Sequence, residues 1–182
     1  MSEFVPFPKM ARLSREIVVT EKIDGTNAQI FIDDDGSMLV GSRSRWITPQ
    51  DDNYGFARWV DAHRAELAEL GPGRHFGEWW GNGIQRRYNV PDKRFSLFNA
   101  VRWGEDRPAC CGVVPVLYKG DFSQEAIEAA LVSLAENGSQ AAPGFMQPEG
   151  VVVFHTAALV GFKKTIERDG APKGLAEKAV AA

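Results

Sequence analysis

The chain has 182 residues, of which 44% are hydrophobic and 25% are charged, and this length and composition are typical of one soluble globular domain. No apolar run approaches the ~20 residues of a membrane-spanning helix, and the N-terminus lacks a signal-peptide pattern, so we expect a cytoplasmic protein with no membrane contact. The formal net charge of -3 argues against a protein that holds nucleic acid with its whole surface, so any such binding would use a local patch.

Short predicted strands outnumber helices along the chain. A β-branched run at 16–20 predicts a buried strand, and the turn sequence at 33–36 joins the two strands of a hairpin. Apolar residues at helical spacing predict a first helix that ends before Gly71, and a second helix ends before Gly138. In chain order, the predicted elements are a strand at 16–20, strands at 27–32 and 37–41, a helix at 56–70, strands at 75–80, 95–103 and 113–117, a helix at 123–136, and strands at 150–154 and 159–166.

These elements predict an α+β fold with mostly antiparallel sheets flanked by helices. The sequence contains no internal repeat and no interdomain linker. Residues 1–168 are therefore expected to form one domain. The Gly-, Pro-, Ala- and Lys-rich residues 169–182 are expected to form a short tail or helix.

The sequence Lys22-Ile23-Asp24-Gly25 follows the first predicted strand directly. A lysine acts as a covalent catalyst only as the neutral amine, so it needs a nearby positive group, a dry pocket or a metal ion. Gly25 would let the backbone approach a phosphate, and Asp24 and Asn27 can orient a hydrated metal ion. The same four residues also fit a solvated strand-to-turn junction, so the motif needs support from the rest of the chain.

Further motifs supply that support because they follow in a fixed order on the predicted strands. Together they resemble the signatures of the lysine-adenylating ligases and RNA-capping enzymes, and the best fit is the branch that includes the nick-sealing RNA ligases. The similarity covers residues 16–166. The matching segments are 22–27, Ser42-Arg43, Phe76-Gly77-Glu78, 95–99, Glu149-Gly150-Val151-Val152 and Phe162-Lys163-Lys164.

The resemblance implies the nucleotidyltransferase fold of a ligase adenylation domain, with the nucleotide pocket between its sheets. It implies that Lys22 takes AMP from ATP, that Glu78 holds the ribose and that Phe98 stacks on the adenine. Glu149 would hold Mg²⁺ or Mn²⁺ together with Asp24. The implied catalytic residues are Lys22 and Lys163, and the implied nucleotide contacts are Glu21, Lys22, Asn27, Arg43, Glu78, Phe98, Glu149, Lys163 and Lys164.

Simpler roles exist for several of these residues. Glu78 could be the polar side of a half-buried strand, although a buried carboxylate needs a partner such as a ribose diol. Phe98 could belong to the core, where most phenylalanines lie. Neighbouring residues of a strand point to opposite faces, so only one of Lys163 and Lys164 reaches the phosphate, and we favour Lys163.

The chain departs from the family pattern in three places. Asn99 replaces an aspartate on the stacking strand, and Lys164 directly follows Lys163 where the family has Lys-x-Lys. Few residues follow Ile166, so we expect no C-terminal OB or RNA-binding domain.

The resemblance predicts an ATP-dependent RNA ligase, acting in RNA repair, that joins 5′-phosphate and 3′-hydroxyl ends of RNA or DNA through a lysyl-AMP intermediate. One alternative is a non-catalytic nucleotide- or RNA-binding module of the same fold. Another is a DNA ligase or capping-type enzyme that needs a protein partner for its second substrate.

Two further groups of residues bear on binding. Basic residues interleaved with aromatic ones could hold phosphates and stack bases, or could form a solvated surface. His75 and His155 lack metal-ligand spacing, and the adjacent Cys110 and Cys111 are poorly placed for a zinc site or a structural disulfide, which favours a reducing compartment. The basic and aromatic residues are Arg43, Arg45, Trp46, Arg86, Arg87, Tyr88, Lys93, Arg94 and Phe95.

Overall fold

The computed structural model describes residues 2–167 and Asp169, so the tail or helix predicted at 169–182 lies outside the described residues except for Asp169. The elements are β1 (Glu16–Lys22), β2 (Thr26–Ile32), β3 (Met38–Ser42), β4 (Trp46–Ile47), α1 (Phe56–Ala62), α2 (Arg64–Leu67), a 3₁₀ helix (Ala68–Leu70), β5 (Gly73–Gly81), β6 (Lys93–Leu97), β7 (Cys111–Val113), β8 (Val116–Asp121), α3 (Gln124–Asn137), β9 (Gly150–His155) and β10 (Val160–Thr165).

The strands form two sheets. A four-stranded sheet has the order β10-β9-β1-β8, and a six-stranded sheet has the order β4-β3-β2-β5-β6-β7. The paired strands are antiparallel except for β6 and β7, which run parallel. The predicted α+β class with mostly antiparallel sheets is therefore confirmed.

Helix α3 covers one face of the four-stranded sheet. Its residues Leu131 and Leu134 pack with Ile17 and Val19 of β1 and with Val151 of β9 in one buried cluster. Since side chains alternate along a strand, the even-numbered residues of β1 point to the opposite face. The last of them is residue 22, so the lysine of the first motif lies on the face that α3 does not cover.

The six-stranded sheet is also covered on one face. Trp79 of β5 and Phe95 of β6 pack there with Phe56, Val60 and Leu67 from the helical region. The alternating positions point to the other face, where register places residues 27, 78 and 96 side by side on β2, β5 and β6. A third cluster contains Ile23, Trp80, Tyr88, Val114 and Phe145 and packs around the segment that connects β1 to β2.

Three predicted elements differ from the structure. The predicted first helix is divided, because His63 leaves helical geometry with a φ of −115°. The strand predicted at 95–103 ends at Leu97, since the Asn99 side chain accepts the Arg102 N–H at 3.0 Å and the chain turns there. The strand predicted at 113–117 is split between β7 and β8, because Pro115 has no N–H with which to continue the pairing.

None of the helices in the described part of the chain has the length and apolar character needed to span a bilayer.

Candidate active site

Lys22 and Glu149 form a partly buried ion pair at the end of β1. The Lys22 Nζ atom contacts Oε2 of Glu149, and only 21% of the Lys22 side chain and 3% of the Glu149 side chain are exposed. Residue 22 pairs directly with Gly150 on β9, so the carboxylate at position 149 lies beside the amine. Gly150 has a φ of 151°, and a Cβ there would lie 2.2 Å from the carbonyl oxygen of Lys164, so this position requires glycine.

Glu78 approaches the same place from the six-stranded sheet. Its carboxylate accepts hydrogen bonds from the Gly25 N–H at 3.0 Å and from the Asn27 amide at 3.1 Å. Burial raises the pKa of Glu78 to about 7; the Gly25 N–H and the charge of Lys22 lower this pKa, while the charges of Glu149 and Asp24 raise it. The Glu78 carboxylate therefore lies close enough to be influenced by five groups, of which only Asp24 and Glu149 are acidic.

Gly25 is required by packing rather than by a turn. A Cβ at this position would lie 2.5 Å from the carbonyl oxygen of Trp79 and 2.7 Å from the Cβ of Trp80. These distances are shorter than any Cβ contact that can be tolerated, so a larger residue would push the first motif away from β5. The glycine therefore lets the backbone after Lys22 lie directly against the strand that carries Glu78.

Asp24 contacts two residues, Arg86 and Tyr88, that lie outside the first motif. The Arg86 Nε–H donates to its Oδ2 atom at 3.0 Å, and the Asp24 N–H donates to the Tyr88 hydroxyl at 2.7 Å. Arg86 also donates to the carbonyl of Gln147 at 2.8 Å. Burial raises the pKa of Tyr88, so its hydroxyl stays protonated and neutral.

Strand register also decides the faces of Phe98 and Lys163. Lys163 pairs with Val152, which pairs with Thr20, so the Lys163 side chain lies on the same face as Lys22. The Phe98 N–H donates to the carbonyl of Phe76 at 3.0 Å, which continues the pairing of β5 and β6 past Leu97. Phe98 is 41% exposed, so its ring is not part of the core. Arg43 follows β3 and is exposed.

Glu21 and Lys164 lie on the other face of the four-stranded sheet, contrary to the expectation that their side chains contact the nucleotide. Both pair with Val151, whose side chain packs beneath α3. Lys164 contacts Glu128 of α3. Glu21 adjoins the first motif and Lys164 belongs to the last one, but strand alternation separates both side chains from Lys22.

The Glu21 carboxylate is held by the loop that follows α3. It is 1% exposed, and it accepts hydrogen bonds from the Ser139 hydroxyl at 2.5 Å and from the N–H groups of Gln140 and Ala141 at 2.8 and 2.9 Å. A buried carboxylate with three donors is well satisfied. Glu21 therefore fixes β1, and with it the position of Lys22.

The acidic side chains supply few direct metal ligands. Among residues 2–167 and 169, no group of three or more His, Cys, Asp or Glu side chains is arranged to hold a metal ion. Mg²⁺ is commonly bound by one or two carboxylates, with phosphate oxygens and water filling its other positions. Glu149 and Asp24 fit that donor set only when a phosphate-bearing ligand is present.

Most of the basic and aromatic residues of the predicted nucleic-acid patch serve the fold. Tyr88 and Phe95 are buried in the core and therefore cannot stack on bases. Arg86 pairs with Asp24 as described above. Three other cations of the group also have protein partners: Arg45 pairs with Asp51, Arg94 with Asp92, and Lys93 donates to the carbonyl of Tyr54.

Comparisons with known proteins agree with the fold. The family model described as RNA ligase matches residues 15–166. Three structures of Naegleria gruberi RNA ligase variants are similar to this chain. One with ATP and Mn has a TM-score of 0.62 and 19% sequence identity, and the match covers 93% of this chain and 52% of that chain. An apo form has a TM-score of 0.61, 20% identity and coverages of 84% and 50%, and another structure with ATP and Mn has a TM-score of 0.60, 20% identity and coverages of 93% and 53%. The chain thus spans about half the length of these ligases. No curated protein matches the chain.

Proposed function

The chain belongs to the RNA ligase family, and on that premise we propose that it is an ATP-dependent polynucleotide ligase that forms a covalent lysyl-AMP on Lys22. The observation that supports this most strongly is the partly buried contact between Lys22 and Glu149, with Glu78 facing it from the other sheet. Partial burial favours the neutral amine that the attack requires, whereas the charge of Glu149 favours the ammonium and holds it in place. The divalent cation proposed below would oppose this effect of Glu149 on the Lys22 proton.

ATP would bind across the two sheets. Glu78 would accept hydrogen bonds from the ribose hydroxyls, because a carboxylate in this buried position is stabilised by two further donors. Phe98 would stack on the adenine with its exposed ring. Lys163 and Arg43 would neutralise the phosphates, and Asn27 would orient them.

The first reaction is attack by the Lys22 amine on the α-phosphorus of ATP. The Lys22 ammonium, whose Nζ contacts Glu149, must first lose one proton to solvent. The N–P bond forms as the bond from the α-phosphorus to the bridging oxygen breaks, and pyrophosphate leaves with that electron pair. A second amine proton passes to solvent, which leaves a neutral nitrogen in the lysyl-AMP.

A divalent cation would be held by Glu149 and Asp24 together with phosphate oxygens and water. When bound, Mg²⁺ or Mn²⁺ would neutralise negative charge on the phosphates. Lys163 and Arg43 supply the charge neutralisation that comes from the chain itself.

Two further steps follow from the proposal. AMP moves from Lys22 to the 5′-phosphate of an RNA strand, and a 3′-hydroxyl then attacks that phosphate and releases AMP. Each step moves charge around one phosphorus, so the same cationic residues can serve all of them. The related Naegleria gruberi structures, which carry ATP and Mn, support ATP and a divalent metal as co-substrate and cofactor.

Incubation with α-labelled ATP and Mg²⁺ tests the proposal. We expect covalent label on the wild-type chain and none on Lys22→Ala, with label from ATP and not from GTP. Label from GTP would indicate capping-type chemistry instead. Tight ATP binding by a folded wild-type chain that forms no adduct would indicate a non-catalytic nucleotide-binding module.

The polynucleotide substrate is tested separately. We expect the labelled protein to release AMP to a 5′-phosphate and seal a nicked RNA duplex, and matched RNA and DNA nicks compare the two substrates. Sealing that occurs only after a second protein is added would show that a partner protein supplies the RNA binding.

A further inference from the structure

The segment between β5 and β6 has an unusual backbone. Within five residues, four non-glycine residues adopt positive φ: Gln85 at 43°, Arg87 at 61°, Tyr88 at 53° and Asn89 at 54°. Such conformations cost free energy and persist only where the surroundings impose them, and they concentrate at functional sites. We refer to residues 82–90 as the β5–β6 loop.

Two buried side chains hold the β5–β6 loop in this conformation. Ile84 is fully buried against the six-stranded sheet, and Tyr88 is buried beside Trp80 and Phe145. Between these two anchors the loop can present residue 86 in only a narrow range of positions. Arg86 points toward the first motif and is partly buried.

Arg86 connects the two segments that supply the nucleophile and its carboxylate. Its Nε–H donates to Asp24, two residues after Lys22, and its Nη1 group donates to the carbonyl of Gln147, two residues before Glu149. A guanidinium is a rigid planar group, so two bonds from it fix the distance between the two partners. Tyr88, from the same loop, holds the backbone N–H of Asp24.

We propose that Arg86 is a positioning residue for lysyl-AMP formation. Through Asp24 and Gln147, it fixes the position of Lys22 relative to Glu149. This inference rests on the proposed function for its kinetic consequence. Arg86 also compensates the charge of Asp24, which would otherwise face Glu78 and Glu149 as a third carboxylate where the triphosphate must bind.

Single-turnover formation of lysyl-AMP tests the role. Arg86→Ala is expected to slow the reaction by ~10–100-fold, with the KM for ATP changed less than ~3-fold, because misplacing reacting groups by about 1 Å costs this much. Arg86→Lys keeps one contact and should recover part of the rate. Arg87→Ala is the matched control, since Arg87 is the adjacent arginine of the same loop and is exposed. Wild-type rates in Arg86→Ala, or an equal loss in Arg87→Ala, would overturn the proposal.

A double-mutant cycle separates positioning from general stability. If Arg86 acts through Asp24, the effects of Arg86→Ala and Asp24→Asn on the rate will not add, whereas independent effects will. Additive losses would contradict the proposal.

Amide hydrogen exchange gives a readout that does not need catalysis. Arg86→Ala should speed exchange in segments 23–25 and 147–150 and leave α3 unchanged, and Arg87→Ala should change neither. Unchanged exchange in both segments would overturn the proposal even in an inactive protein. A wild-type chain that forms no lysyl-AMP while Arg86→Ala loosens both segments would contradict the proposed function alone.

Discussion

Glu78 is buried in surroundings that disfavour its charge. Burial raises its pKa from 4.5 to about 7, although Gly25, Asn27 and Lys22 all favour the ionised form. A group whose pKa is higher in the folded state than in the unfolded state stabilises the fold fully below about pH 4.5. That stability is lost as the pH rises to about 7.

Glu78→Gln should therefore change how stability depends on pH. Between pH 4.5 and pH 8, the wild type should lose about 3 kcal/mol of unfolding free energy relative to Glu78→Gln, because the variant has no carboxyl to ionise. Urea unfolding of both proteins without nucleotide, at each pH, measures this difference. Parallel pH profiles for the two proteins would contradict the assignment of the raised pKa.

The packing restriction at Gly25 can be tested by adding one methyl group at this position. Gly25→Ala would place a Cβ 2.5 Å from the Trp79 carbonyl, so we expect a loss of about 1–3 kcal/mol in unfolding free energy together with slower lysyl-AMP formation. Gly104→Ala is the matched control, because nothing lies within 4 Å of its Cβ position. Urea unfolding of both variants measures the cost, and equal stabilities would show that β5 does not restrict this position.

At the scale of the strand, alternation separates two adjacent lysines. Lys163 lies on the face of Lys22, and Lys164 lies on the face of α3, where it contacts Glu128. Lys163→Ala should slow lysyl-AMP formation by ~10²-fold or more, because it removes a charge from the phosphates, and Lys164→Ala should remain within a few fold of the wild type. Rate constants with saturating ATP measure both effects. A larger loss in Lys164→Ala would reverse the assignment.

The positions of strands along the chain and the residues around Lys22 could be predicted from sequence, because a buried strand and its flanking turn leave local patterns. The pairing of strands leaves no such pattern. Sequence alone therefore predicts Glu21 and Lys164 in the site, whereas register places them on the sheet face that α3 covers. The contact of Arg86 with Asp24 joins positions 62 residues apart, and the surrounding aromatic and basic residues indicated nucleic-acid binding instead.

Some local structure also depended on single side chains. The end of β6 at Leu97 depends on the Asn99 side chain, which accepts a hydrogen bond from the Arg102 N–H within the strand predicted at 95–103. Residue types such as asparagine favour turns, yet the aromatic and β-branched residues around it favour a strand. In this segment the turn formed by the asparagine side chain prevails.

At the scale of the whole molecule, each sheet contributes one part of the site. The four-stranded sheet carries Lys22, Glu149 and Lys163, and the six-stranded sheet carries Glu78 and Asn27. The covered face of each sheet packs on its own helices, so both open faces are left for substrate. This arrangement suits a reaction in which one phosphate is handled by both sheets.

Only the first step of the proposed reaction uses Lys22 as a nucleophile. Lys22→Ala should therefore fail to ligate RNA with ATP, yet it should still seal a nick whose 5′-phosphate already carries AMP. Gel assays with the two substrates measure this difference. A variant that seals neither substrate, while remaining folded, would show that Lys22 is also needed when the 3′-hydroxyl attacks.

The central claim is that Lys22 carries AMP, and mapping the adduct tests it most directly. The wild-type protein is incubated with ATP and Mg²⁺, digested, and its peptides are analysed by mass spectrometry. The account predicts one AMP per chain, attached to the side chain of Lys22 and absent from Lys22→Ala. An AMP attached to Lys163 or Lys164, or no adduct on a folded chain, would contradict it.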